Sequence, residues 1–204
     1  MTADAPCPVL VVHGIWDSKV RMRPLLEGLR LRGLPSVSAF TLRPNDGSAP
    51  IESLARQVRD QAQRLCAEHG VPHLDLVGFS MGALTARYYL QRLGGVDRTR
   101  RFVSISGPQQ GTHMARLSRL AGVRQMRPGS ALIRDLQSDP EPWGHVQVHC
   151  IYTPFDLMIV PARSSVLPGA RSIHSVTVPW HRRMIADRRV LDLTASLLGG
   201  ISAS

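Results

Sequence analysis

Residues Leu74 to Leu84 read LDLVGFSMGAL, an apolar run broken by Gly-x-Ser-x-Gly and followed at once by helix-forming residues. The run fits a buried strand, and Met81 onward fits a helix. Only a tight strand-to-helix reversal joins the two, and such a reversal puts Ser80 at its apex. Gly78 and Gly82 flank the apex, where backbone passes close to backbone and a Cβ would collide. A serine held this way is exposed at the rim of a sheet, where a hydroxyl can act as a nucleophile.

The rest of the chain supplies a sheet for that turn. Apolar β-type runs fall at Pro8–Val12, Val37–Leu42, Leu74–Val77, Arg101–Ser106, Val146–Tyr152 and Ser172–Val178. Helical patterns fall at Met22–Arg32, Ile51–His69, Met81–Leu93 and Met184–Leu198. In the second, Ile51, Leu54, Val58, Ala62 and Leu65 form one stripe, and Gly70 and Pro72 stop it. The last carries Val190, Leu193, Leu197 and Leu198, then Gly199-Gly200. Alternation of this kind predicts a parallel sheet covered on both faces. The 204 residues, 43% hydrophobic, suit a single domain over 1–204. The predicted strand order is 2-1-3-4-5-6, with Ser80 at the switch between strands one and three.

One segment interrupts the alternation. Residues 112–144, between strands four and five, hold two short amphipathic stretches and then the Pro-rich SDPEPWG. They form a short helical insert, read either as a crossover with a decorated loop or as a cap lining an acyl groove. In the second reading Met114, Leu117, Leu120 and Met126 offer the greasy face. Either way the insert is too short for a large mobile lid domain.

Ligands of open parallel sheets bind beyond the C-terminal strand ends. After strand one comes His13-Gly14-Ile15-Trp16, and after strand three comes Ser80. Strand five delivers Asp156, and strand six delivers His181. A nucleophile, an acid and an imidazole thus meet one edge in the order Ser, Asp, His. His181 would take the Ser80 proton and return it to the leaving group. Asp156 would fix the imidazole tautomer and stabilise its cation. Asp97 lies at the wrong edge. Asp135, Asp139 and Glu141 belong to the insert, and Asp187 and Asp192 to the last helix. Among other histidines, His113 is the one spatial competitor, whereas His13 reads as structural. Backbone N–H groups of Ile15 and Met81 are the expected oxyanion donors. Trp16, Met114 and Leu117 are expected to border the substrate.

The segments VLVVHGI (Val9–Ile15), LDLVGFSMGAL and IYTPFDLMIVPARSSVLPGAR (Ile151–Arg171) resemble the small bacterial lipase/esterase group, lipase class 2, of the α/β-hydrolase superfamily. The resemblance spans most of the chain. It implies a minimal α/β-hydrolase fold and ester hydrolysis, with Ser80, Asp156 and His181 as nucleophile, acid and base. It departs at Phe79, where these lipases often carry His, at VPWH, which lacks a glycine common there, and in the insert. Acyl transfer or thioester hydrolysis would use the same triad, and an inactive binding module is the alternative from another class.

Net charge is +10, carried almost wholly by arginine, yet aromatics make up only 5% and no basic block is interleaved with them. Nucleic acid is therefore not an expected partner. A small-molecule or lipid ester is. A weak preference for an anionic interface would fall to Arg182 and Arg183. The cysteines Cys7, Cys66 and Cys150 fit no metal spacing and suggest reduced thiols in the cytoplasm. No metal or organic cofactor is called for. The N-terminal MTADAPCPVLVV lacks a basic leader region, and no stretch has the length of a transmembrane helix.

Overall fold

A computed structural model describes residues 7–199; the first six residues, and Gly200 of the Gly-Gly pair, lie outside that range. The strands are β1 (Val9–Val12), β2 (Val37–Ala39), β3 (Leu74–Phe79), β4 (Thr99–Ile105), β5 (Gln147–Tyr152) and β6 (Ser172–Ser175). They form one sheet in the order β2-β1-β3-β4-β5-β6, as predicted. All five pairings are parallel. The helices are α1 (Arg23–Arg30), α2 (Ile51–His69), α3 (Met81–Arg92), α4 (Ala121–Gln125), α5 (Ala131–Gln137) and α6 (Arg188–Leu197).

Burial explains the layers. β3 is buried along its whole length, so both of its faces must be covered. On one face Val9, Val11, Val77 and Val103 pack against Leu25 and Leu29 of α1 and Val190 and Leu191 of α6. On the other, Leu10, Val12, Leu76 and Phe102 pack against α2 and α3. The Ile51 stripe of α2 points into this second core. Gly70 ends α2 in the left-handed conformation, φ 63°.

Both edge strands are shorter than their apolar runs. β2 pairs with β1 alone, and the ladder ends at Ala39 opposite Val11. Leu42 is still fully buried, but as loop, with its N–H donated to His13 Nε2 at 2.9 Å. β6 likewise stops at Ser175 opposite Tyr152, and the buried Val178 follows in a loop. The last helical run divides in two. His181–Ile185 form a 3₁₀ turn, and α6 begins only after Asp187, whose carboxylate caps it by accepting the Arg189 N–H. The insert holds three elements rather than two: a 3₁₀ turn at His113–Leu117, then α4 and α5.

A buried imidazole makes stability depend on pH. His149 on β5 meets the Ser172 hydroxyl at 2.7 Å. Burial, and then the charges of His174, Arg171 and Arg101, push its pKa down to about 4. An unfolded imidazole titrates near pH ~6.5. Between those values the unfolded chain holds a proton that the folded chain refuses, so stability falls as pH falls through that window. The expected loss is about 2 kcal/mol once solvent screening is allowed for. Urea unfolding at about pH 7 and about pH 5 measures it. His149→Gln should flatten the slope, while His13, also shifted down by burial, keeps part of it.

Candidate active site

Ser80 stands between β3 and α3 with φ 54° and ψ −129°, a strained conformation for a residue with a Cβ. The strain is held from both sides. The Ser80 N–H donates to Ile105 O at 3.0 Å, and Ser80 O accepts from the Ala83 N–H at 2.9 Å. A Cβ on Gly82 would strike the carbonyls of Val12 and His13, and one on Gly78 would strike the backbone of Ala83. The elbow therefore lies directly on the end of β1. Gly14, in the loop after β1, comes so near that a Cβ there would sit 2.9 Å from Ser80 Cβ.

That loop is braced by His13. Its Nε2 accepts from Leu42, so Nδ1 carries the proton and donates to Gly14 O at 2.7 Å. Both ring nitrogens are spent on backbone, which gives His13 a structural role. The Trp16 N–H goes to Asn45 O at 2.7 Å and the Asp17 N–H to Gly14 O at 3.3 Å, while that of Ile15 has no acceptor among the described residues. Met81 opens α3, where an N–H has no intrahelical acceptor and the helix dipole favours negative charge.

Asp156, 5% exposed, follows β5. Its Oδ1 accepts the N–H groups of Met158 and Ile159, each at 2.9 Å. Its Oδ2 accepts from His181 Nδ1 at 2.7 Å. Burial alone would raise the Asp156 pKa, but the bond to His181 and the two backbone donors outweigh it and hold the group below the usual carboxylate range. A carboxylate on Nδ1 leaves Nε2 as the basic nitrogen of His181. The imidazole lies on Phe79, the residue before Ser80, with ring centroids 4.9 Å apart. An aromatic ring at this second elbow position thus supports that imidazole.

Ser80, Ile15, Trp16, Met114 and Leu117 border one cavity of about 240 Å³, together with Val123 and Met126. Leu120, grouped with Met114 and Leu117 in the sequence, is instead 40% exposed and outside it. His113 joins the insert to the loop after Asp156 through its N–H to Val160 O at 2.9 Å, and its side chain does not line the cavity. Arg182 is tied to Asp17, NH2 to Oδ1 at 2.9 Å, so it joins the loop after β1 to the turn that carries His181.

Two threonines complete the frame, and sequence patterns did not single them out. Thr112 Oγ1 donates to Met158 O at 2.8 Å and accepts from the Val160 N–H at 3.0 Å, pinning the insert to the Asp156 loop. Thr153 Oγ1 donates to Val178 O at 2.6 Å and accepts back from the Val178 N–H, tying that loop to the approach to His181. Each follows a strand in a loop, where no periodicity marks it. No group of three or more His, Cys, Asp or Glu placed to hold a metal ion occurs among the described residues.

The model of the palmitoyl protein thioesterase family matches residues 8–141, a stretch that includes the Ser80 elbow, the loop after β1 and most of the insert. The chain belongs to that family. Within it, the chain is 27% identical over 107 residues to palmitoyl-protein thioesterase 3 of Dictyostelium discoideum, an alignment covering 51% of this chain and 36% of that protein. It is 29% identical over 122 residues to a triacylglycerol lipase of Pseudomonas fragi, covering 57% of this chain and 39% of the lipase. The matched stretches thus span under two fifths of these curated relatives. Lipase B of Aspergillus fumigatus superposes with a TM-score of 0.82 at 17% identity, over 97% of this chain and 54% of that one. The mature lipase BlEst2 of Bacillus licheniformis gives 0.80 at 13% identity, over 96% and 93%. The family and these neighbours agree on the α/β-hydrolase fold of the lipase/esterase kind that the sequence predicted. No described helix is long and apolar enough to cross a membrane.

Proposed function

We propose that the chain is a serine carboxylic-ester hydrolase working through an acyl-enzyme, with Ser80 as nucleophile, His181 as base and Asp156 as its orienting carboxylate. One observation carries the reading: a buried carboxylate grips His181 Nδ1 at 2.7 Å while that ring rests on the residue preceding a strained serine. In the proposed reaction Ser80 Oγ attacks the substrate carbonyl carbon as its proton passes to His181 Nε2. The resulting oxyanion is met by the N–H groups of Ile15 and Met81. Collapse breaks the bond to the leaving oxygen or sulfur, which takes the proton from Nε2. Water then repeats the sequence on the acyl-enzyme and frees the acid.

The insert over 112–144 belongs, in this reading, to one catalytic domain and walls the acyl side, since Met114, Leu117, Val123 and Met126 line the Ser80 cavity. The substrate is a small or lipid ester, and no cofactor takes part. The family match favours thioesters as a second substrate class for the same triad. Three cysteines, an odd number without metal-type spacing, support a reducing, cytoplasmic setting. A fluorophosphonate probe tests the reading. It should add one adduct at Ser80, located by peptide mass, and matched acyl esters and thioesters should then lose turnover together. An unlabelled Ser80 in folded protein would overturn it.

A further inference from the structure

A second groove, of about 440 Å³, adjoins the Ser80 cavity and shares Met158 with it. Its wall includes His181, but not Ser80; the first cavity borders Ser80, but not His181. We infer that this groove seats the departing part of the substrate, and that this part is a neutral, apolar alcohol or thiol. The inference rests on the hydrolase reading above and adds the leaving-group class to it.

The chemistry assigns the sides. As the acyl carbon bonds to Ser80 Oγ, its bond to the leaving oxygen or sulfur must break. The freed electron pair collects the proton from His181 Nε2, and a neutral alcohol or thiol departs. The leaving atom must therefore stand next to the imidazole, and whatever it carries extends along the imidazole's own groove. The acyl chain is left with the cavity that borders Ser80 and Ile15.

The lining sets the class. Phe155, Leu157 and Trp180 are 55%, 68% and 61% exposed, an apolar surface without a partner in the fold. Arg182 is the one permanently charged residue of the lining, and its guanidinium is already held by Asp17 at 2.9 Å. A phosphate or sulfonate would meet a single guanidinium whose charge the Asp17 carboxylate already balances. A ring or branched alkyl group would cover the exposed faces, whereas an anionic group would lose hydration against a guanidinium that already faces a carboxylate.

Three esters of one short acid test this: ethyl, naphthylethyl, and naphthylethyl bearing a sulfonate. Their alcohols have similar acidity, so kcat/KM ratios report binding in the transition state rather than intrinsic reactivity. The naphthylethyl ester should exceed the ethyl ester by about tenfold, and the sulfonate should erase that gain. Trp180→Ala should cut the naphthylethyl-to-ethyl ratio about tenfold and Leu157→Ala about threefold. Neither should move the ratio of a long to a short acyl chain on ethyl esters, which Met114→Ala should move instead. Ratios taken within one variant cancel any general effect on His181. The inference is overturned if Trp180→Ala leaves the leaving-group ratio unchanged, if it shifts the acyl-chain ratio instead, or if the sulfonated ester is preferred. Normal labelling of Ser80 alongside any of these would spare the hydrolase reading. No turnover of any ester, with Ser80 unlabelled, would remove both.

Discussion

Ser80→Ala is expected to lower ester turnover by at least about 10⁴-fold while leaving the fold in place. The substitution removes one oxygen and keeps the Cβ, so the packing of a residue only 8% exposed changes little. Both residues meet the same strain at φ 54°, so the elbow loses none of the contacts that impose it. What disappears is the atom that bonds to the acyl carbon. Residual catalysis from the oxyanion donors and from substrate binding should survive, as it does when one member of a catalytic unit is removed. Steady-state rates on a p-nitrophenyl ester, beside a thermal unfolding curve, measure both halves. Activity above about a tenth of the parent, in a folded variant, would remove Ser80 from the reaction.

Asp156→Asn is expected to cost about 10⁴-fold in kcat, with a much smaller change in KM. The reason lies in which oxygen the backbone holds. Met158 and Ile159 both donate to Oδ1, so the asparagine carbonyl must stay there and its NH₂ must turn to His181. An NH₂ facing Nδ1 makes that nitrogen an acceptor and moves the ring proton to Nε2. The imidazole would then sit in the same place with the wrong nitrogen protonated, unable to accept from Ser80. The pH dependence separates this from unfolding, because the variant should be impaired at every pH at which it remains folded. A variant with near-normal kcat would show that the bond to His181 is structural.

Much of this architecture is legible in the amino-acid order. The run Ile51–His69 forms a helix over that same span, because an uninterrupted apolar stripe and a glycine stop both mark it. β3 and α3 are legible because their junction admits so few conformations. The edges are less so: apolarity in Phe40, Leu42, Val176 and Val178 reports burial, and burial does not require a strand neighbour. Asp187 looks like a helix residue because a cap and a first-turn residue differ by one position. The residues that fasten the candidate site together are hardest to foresee. Asp17, Thr112 and Thr153 each act through a few hydrogen bonds across more than twenty positions of chain. Nothing in their neighbours announces a partner so far away.

The guanidinium of Arg87, buried in α3, donates to Gln109 O and Leu136 O at 2.7 Å each and lies over the Trp143 ring at 5.8 Å. Burial lowers its pKa to about 10, which still leaves it charged at neutral pH. Swinging residues 112–144 outward would take Leu136 O and the Trp143 ring from that charge and leave it Gln109 O and Gln91 Oε1, a cost on the order of 2 kcal/mol. Arg87 thus fastens to α3 the insert whose residues line the Ser80 cavity. In the proposed reaction, which acyl chains fit becomes a question of the volume Met114, Met126 and Met158 leave open, and narrowing or widening that space is work for single side chains.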